Sequence, residues 1–215
     1  MTDRLNKIFS ELESCKIFAD VGCDHGYMAK AMISSGKAQK VIISDVSAKC
    51  LTKAQELLKE ELLSGKAESV VSNGFEKVGK CDLALVAGMG GEEIIGIINN
   101  APFLPERLVL QPMKNADKVR ICAVKHGYKI LKDYVFYSAG AYYDLIVLEK
   151  GEDALSQDEI EFGRTNIKEP SKAFTDMLKI KMQKLAVYAE KDGLSQDAKQ
   201  DILTRKQRLE KYVKD

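Results

Sequence analysis

The amino-acid sequence predicts an α/β fold, a mostly parallel seven-stranded sheet followed by a helical tail. Three observations carry this. Short β-branched runs alternate with helical patterns up to Lys150, as in successive βαβ units. Those runs are almost wholly apolar, as strands covered on both faces are. After Lys150, glycine becomes rare, β-branched residues thin out, and Lys, Glu, Asp and Gln dominate. The expected division of the 215 residues is therefore a sheet domain over 1–152 and a helical domain over 153–215.

The elements follow in order. Strands are expected at 16–21 (KIFADV), 41–45 (VIISD), 69–72 (SVVS), 82–87 (DLALVA) and 107–111 (RLVLQ). A closing antiparallel pair is expected at 128–137 and 142–150, joined through Ser138-Ala139-Gly140. A helix after the first strand runs through MAKAMISS. One long helix over 47–64 carries Leu51, Ala54, Leu57 and Leu58 at helical spacing. Further helices carry Ile94, Ile95, Ile97 and Ile98, and span about 116–126. In the tail, Ser156 and Glu159 form a capping box. Pro170 allows a helix to start in its first turn. Phe174, Leu178, Leu185 and Tyr188 make a heptad-like stripe, Asp192-Gly193 stops that helix, and Ser195 caps the last one. Two helices joined this way predict a protruding antiparallel hairpin.

Composition narrows the functional classes. The net charge is +1, so any nucleic-acid contact has to be local. Five cysteines are widely spaced with no C-x-x-C pair, and the only histidines are His25 and His126. This argues against a disulfide framework and against a metal site. No apolar run approaches the length of a membrane span, and no signal peptide is visible. The expectation is a cytoplasmic, monomeric protein with no metal and no membrane partner.

The chemistry concentrates at strand ends. Ala19-Asp20-Val21-Gly22-Cys23-Asp24-His25-Gly26-Tyr27 leaves the first strand and opens the first helix. Gly22 and Gly26 remove side chains where a nucleotide-like ligand approaches the backbone and the helix N-terminus. The spacing is G-x-x-x-G rather than the dinucleotide G-x-G-x-x-G, with Asp20 two residues before the first glycine. A carboxylate there would repel a pyrophosphate and suits a cation. Asp45 ends the second strand, where an acid accepts hydrogen bonds from ribose hydroxyls or else caps the following helix. Asn73-Gly74 ends the third strand, as a contact to an adenine ring or as a plain turn. Ala87-Gly88-Met89-Gly90-Gly91 ends the fourth, where glycines leave backbone exposed to a flat substrate. No Asn/Asp-Pro-Pro-Tyr stands at that place, which argues against the amino-group methyltransferases that carry one.

D-x-G-x-x-x-G resembles the first motif of class I methyltransferases. DVGCDHGY, the ISD strand end, SNG, AGMGG and Leu110-Gln111-Pro112, in this order, resemble the bacterial tRNA (adenine(22)-N1)-methyltransferase family over essentially the whole chain. The resemblance implies a Rossmann-like S-adenosylmethionine-binding domain with a helical C-terminal hairpin. It implies methyl transfer to N1 of an adenine in tRNA. It implies cofactor binding by Asp20, Gly22, Gly26, Asp45, Asn73, Gly74, Ala87, Gly88 and Met89, and catalysis by Asp24, with His25 and Tyr27 beside it. Two departures stand out: Asp24 replaces the usual middle glycine, and Met113 stands where the family has Asn after Gln-Pro.

Attack by adenine N1 needs no strong base, because its lone pair lies in the ring plane. It creates a cation on the base, which a carboxylate such as Asp24 stabilises, or from which it accepts a proton. Tyr27 is placed to stack on the target base. Phosphate contacts are expected from Lys114, Lys118, Arg120, Lys125, Lys129 and Lys132, from Arg205, Lys206, Arg208, Lys211 and Lys214, and from Arg4 and Lys7. The rival readings are a methyltransferase for a small molecule or protein, a nucleotide-dependent oxidoreductase, and a non-catalytic RNA-binding relic.

Overall fold

The computed structural model describes residues 1–190 and 195–213. The chain runs α1 (Asp3–Glu11), β1 (Cys15–Val21), α2 (Tyr27–Ser34), β2 (Ala38–Asp45), α3 (Ala48–Leu57), α4 (Lys59–Leu63), β3 (Ala67–Val71), β4 (Leu83–Met89) and α5 (Gly91–Asn99). It continues with β5 (Arg107–Pro112), α6 (Ala116–Lys125), β6 (Tyr128–Ser138), β7 (Ala141–Lys150), α7 (Gln157–Phe162), α8 (Arg164–Lys168), α9 (Lys172–Ala189) and α10 (Gln196–Glu210).

The strands form one sheet in the order β3-β2-β1-β4-β5-β7-β6. The five strands β1 to β5 pair in parallel, and β7 runs antiparallel to both β5 and β6. Two apolar layers cover the sheet, which is why its strands read as continuous apolar runs. On one face Phe18, Val41, Ile43 and Leu85 pack on α1, α2 and α3. On the other Ala19, Val21, Ile42 and Val86 pack on α5 and α6. Side chains alternate along β1, so Asp20 lies on the face of Phe18, toward α2.

Two expectations are corrected here. The helix expected over 47–64 breaks at Leu58 (φ −105°, ψ 21°). That break lets Leu58 bury completely while Lys59–Leu63 restarts on the surface. The N-terminal segment, assigned no element from sequence, is α1, capped by the Thr2 hydroxyl accepting from the Leu5 N–H. It packs Ile8 and Leu12 into the first layer.

The tail is bound to the edge of the sheet. Edge strands carry unpaired N–H groups that have to be covered, and Thr165 Oγ1 and Asn166 Oδ1 accept from Asp133 N and Val135 N of β6, each at 3.0 Å. Beneath them lies a buried ion pair, Arg120 Nε to Asp133 Oδ2 at 2.9 Å. The same guanidinium reaches Asp144 and the Ile160 carbonyl. Gly163 passes so close that a β-carbon there would sit 3.0 Å from both Arg120 and Asp133.

Phe174, Leu178, Leu209 and Tyr212 join Val135 and Phe162 in a third core. The start of α9 therefore meets the end of α10, as in the expected antiparallel hairpin. The capping box at Ser156 and the Ser195 cap are both present. Pro170 precedes the cap of α9, which is Ser171, rather than lying inside the first turn. The apolar stripe seals only the base of the hairpin, since Val187 and Leu203 further out are 63% and 48% exposed. Asp192-Gly193 and Lys214 lie outside the described residues.

Removing one partner of a buried ion pair leaves an uncompensated charge. Arg120→Met is therefore expected to lower stability by about 3–5 kcal/mol in urea unfolding. A loss under about 1 kcal/mol would show that the pair does not hold the tail.

Candidate active site

Ligands of open parallel sheets bind beyond the carboxyl ends of the strands. A cleft of about 1080 Å³ opens there, lined from the β1–α2 loop, the ends of β2, β3 and β4, and the N-terminus of α1. Of the twelve residues singled out from sequence, eleven line it: Asp20, Gly22, Asp24, His25, Tyr27, Asp45, Asn73, Gly74, Ala87, Gly88 and Met89. Gly26 does not. It caps α2 in a left-handed conformation (φ 72°), and a β-carbon there would lie 2.8 Å from that of Ala54 on α3. Its place is helix packing behind the loop.

Asp20 is 5% exposed. Its Oδ2 accepts from Ala29 N in the first turn of α2, at 3.2 Å. Among the described residues no donor faces Oδ1 and no cation pairs with the group. Burial, with Asp45 adding its repulsion against the Ala29 N–H, pushes its pKa up to about 7. Cys23 lies among Asp20, Asp45 and Asp24, and burial together with these charges pushes its thiol well above the usual range. A buried carboxyl without a cation partner suits a cationic ligand group.

The outer loop is shaped by backbone conformation. Gly22 has φ 73°, and a β-carbon there would overlap the Met89 side chain. Asp24 has φ 47°, a left-handed conformation that Asp tolerates better than most residues. It can therefore occupy the place of the usual glycine, and it adds a carboxylate on the surface. His25 Nε2 lies 3.7 Å from Asp24 Oδ2. The His25 ring stacks on Tyr27 at 5.4 Å between centroids and 11° between planes. Tyr27 is half-exposed, so this pair is a flat aromatic platform at the mouth rather than core.

Asp45 accepts from Asp24 N at 3.3 Å and from Ser47 N at 2.8 Å. The helix cap is Ser47, whose hydroxyl accepts from Cys50 N, so Asp45 does not serve as the cap. Its two oxygens keep lone pairs for further donors. Gly74 (φ 56°) presses the β3 turn onto Ile97 of α5. Gly88 (φ 78°) lies at a register shift between β4 and β5, a device that re-aims backbone beside a site. The sequence reading exposed all three glycines of the AGMGG stretch. Gly91, however, serves packing, since a β-carbon there would lie 2.5 Å from the Lys114 carbonyl oxygen.

Several lining residues were missed from sequence. Arg4, Tyr143, Ser138 and Ala139 border the cleft beside Gly88 and Met89. The periodicity of Leu5, Ile8, Phe9 and Leu12 after a Thr2 cap was the available signal for the first of them.

The basic clusters are largely partnered. Arg120 is buried in its ion pair, which removes it from any surface role. Lys118, Lys129 and Lys132 pair with Glu92, Glu149 and Glu11. Arg208 and Lys211 pair with Asp158, and Lys206 with Glu210. Lys114, Lys181 and Arg205 carry no ion pair among the described residues. They border a second groove of about 780 Å³ between α6 and the α9–α10 hairpin.

A doubly wound sheet with one antiparallel strand, a glycine loop after β1 and acids ending β1 and β2 defines a Rossmann-like class I methyltransferase. The unpaired buried carboxyl of Asp20 and the close-packed Gly22 loop fit a ligand joining an adenosine to a cationic amino acid. The chain belongs to the methyltransferase domain family, whose pattern matches residues 1–146. It is 28% identical over 139 residues to a candidate tRNA methyltransferase of Mycoplasma pneumoniae, covering 63% of this chain and 64% of that one, just under two thirds of its length. It is 26% identical over 165 residues to the tRNA (adenine(22)-N(1))-methyltransferase of Bacillus subtilis, covering 74% of this chain and 69% of that one. The crystal structure of a candidate tRNA (m1A22) methyltransferase from Streptococcus pneumoniae superposes with a TM-score of 0.92 at 26% identity, covering all of both chains. The same protein has been solved in complex with S-adenosyl-L-methionine, with a TM-score of 0.83 at 26% identity over all of both chains.

Among the described residues no group of His, Cys, Asp and Glu could hold a metal ion, and no helix is long and apolar enough to cross a membrane. The raised pKa of Asp20 has a sign. Its ionisation opposes folding little below pH 3.8, and increasingly up to about 7. Asp20→Asn keeps an acceptor for Ala29 and removes that opposition. The variant is expected to be more stable than wild type by about 2–4 kcal/mol at pH 8, and by much less at pH 4.5, in urea unfolding without ligand. A difference independent of pH would mean that Asp20 is not a strained carboxyl.

Proposed function

We propose that the chain transfers a methyl group from S-adenosylmethionine to N1 of an adenine in tRNA, at position 22 as in the Bacillus subtilis relative. The observation that carries this reading is the mouth of the cleft. There a surface carboxylate, Asp24, stands beside the stacked rings of His25 and Tyr27. A flipped base stacks on such a platform, and the carboxylate faces the charge that develops on it.

When bound, S-adenosylmethionine supplies a methyl group on a cationic sulfur. Asp45 accepts from the ribose hydroxyls with the lone pairs left free by Asp24 and Ser47. Asn73 and Gly74, closed from behind by Ile97, hold the adenine. Asp20 pairs with the α-ammonium through its unpartnered oxygen. Gly22, Ala87, Gly88 and Met89 line the methionine half with backbone. Tyr27 holds the target adenine in plane, so that catalysis is chiefly positioning, and Asp24 stabilises the cation left on the base. Gly26 supports the loop without touching the ligand.

Residues 1–152 carry the chemistry in this reading, and 153–215 grip the RNA by backbone and shape, the protein acting as a cytoplasmic monomer. A cut after residue 153 is a poor test, since it also removes Thr165 and Asn166 from the edge of β6. Lys181 and Arg205 are exposed and carry no ion pair among the described residues, so reversing their charge is expected to spare the fold. The double variant K181E/R205E is expected to weaken tRNA binding by about tenfold or more at low salt without changing cofactor affinity. Unchanged tRNA affinity would remove the groove from the RNA path.

The direct assay is transfer from labelled S-adenosylmethionine to unmodified bacterial tRNA, with wild type and Asp24→Ala, followed by mapping of the label. The expected product is N1-methyladenine at one adenine. Asp24→Ala is expected to lower the rate by about 10²-fold or more while cofactor binding persists. Cofactor binding with no label on any tRNA would move the acceptor to a small molecule or protein, or leave a non-catalytic RNA binder.

A further inference from the structure

We infer that Arg4 is the recognition residue for the cofactor's α-carboxylate, and that α1 is held against the sheet to deliver it. The inference deepens the cofactor assignment above and does not depend on the acceptor. Sequence reasoning placed Arg4 among the phosphate contacts. The structure instead turns it into the cleft.

The charge pattern of the lining is lopsided. Five carboxylates, Asp3, Asp20, Asp24, Asp45 and Glu93, border the cleft, and among the described residues Arg4 is its one Arg or Lys. Even so, the Arg4 guanidinium makes no ion pair and no hydrogen bond there. It overlies the ring of Tyr143 at 5.5 Å. A guanidinium without a carboxylate, in a cleft crowded with carboxylates, is held away from them and kept open for a ligand.

Its position selects the ligand group. The sheet order places the ends of β3 and β2, with Asn73 and Asp45, at one end of the cleft and the ends of β1 and β4 at the other. An adenosine over the first pair puts the amino-acid half over the second. Arg4 Nη2 lies 3.2 Å from where a β-carbon on Gly88 would sit, at the end of β4. Asp20 on β1 is placed for the ammonium of that half, and Arg4 over β4 for its carboxylate. The two ends of a zwitterion are then met by two opposite charges on neighbouring strands. A guanidinium offers a planar fork that matches a carboxylate bidentately.

The anchoring of α1 fits this role. Arg4 lies one helical turn before the fully buried Ile8, on the face packed against the sheet. The stack on Tyr143 fixes the side chain from the other side. The glycine at 88 leaves the space that the guanidinium overlooks. A larger residue there would crowd it.

The experiment compares two ligands by calorimetric titration of the full chain without RNA. S-adenosylhomocysteine carries the amino-acid half, and 5′-methylthioadenosine lacks it. Arg4→Gln is expected to weaken S-adenosylhomocysteine by roughly 10- to 100-fold and to change 5′-methylthioadenosine by less than about twofold. Arg4→Lys is expected to recover part of the loss, since it keeps the charge without the fork. Equal losses for both ligands would assign Arg4 to the structure of α1. Unchanged affinity for S-adenosylhomocysteine would also overturn the inference. Because no tRNA is present, either result leaves the acceptor assignment to its own assay.

Discussion

A carboxyl group is held at the end of β1 in a place where its ionisation opposes folding, and the cleft is organised around that constraint. β1 is buried from Phe18 to Val21, so Asp20 arrives at the cleft largely withdrawn from water. One hydrogen bond from the first turn of α2 fixes its orientation without neutralising it. Asp45 on the neighbouring strand raises the penalty further. In the proposed reading, such a carboxyl costs folding stability and is relieved when a cationic ligand group pairs with it. The glycine-rich turns serve the same end. Gly22 and Gly88 adopt positive φ and carry no side chain, which leaves the approach to Asp20 to backbone and to Met89.

A second buried charge binds the two parts of the molecule. Arg120 belongs to α6, Asp133 and Asp144 to the antiparallel pair, and the Ile160 carbonyl to the tail. With Thr165 and Asn166 covering the open edge of β6, the tail is a structural part of the sheet's last strand. The base of the α9–α10 hairpin is therefore fixed relative to the cleft. The outer half of the hairpin is not sealed by the third core, and its apolar residues Val187 and Leu203 remain exposed. A rigid base with an open arm suits a partner that is long and recognised by shape.

The parallel strands were legible because each is a short, mostly apolar run, and the first four runs stop at Gly22, Asp45, Asn73 and Gly88, a pattern with few other solutions. The loop residues were legible because Asp20, Gly22 and Asp45 stand at strand ends, where an open sheet binds ligands. The failures have physical causes. Gly26 reads as a ligand glycine, but its close contact with Ala54 depends on the packing of α3, which is remote in sequence. Leu58 keeps helical spacing with Leu51 and Ala54, so nothing local marks the break that its burial imposes. Arg120 sits in a run of Lys and Arg and looks solvated. Its partners Asp133 and Asp144 come from strands that meet α6 only in the fold. Arg4 was read by charge alone, and its position depends on a helix whose apolar spacing was present but not used.

The central claim is that the Asp20 carboxyl is strained in the free protein and relieved by the cofactor. Titration of the aspartate side-chain carboxyl carbons by NMR, with and without S-adenosylhomocysteine, measures this directly. Asp20 is expected to titrate near pH 7 in the free protein, and well below that once the ligand's ammonium is in place. Titration in the ordinary carboxylate range in the free protein, or a midpoint that the ligand does not move, would contradict it.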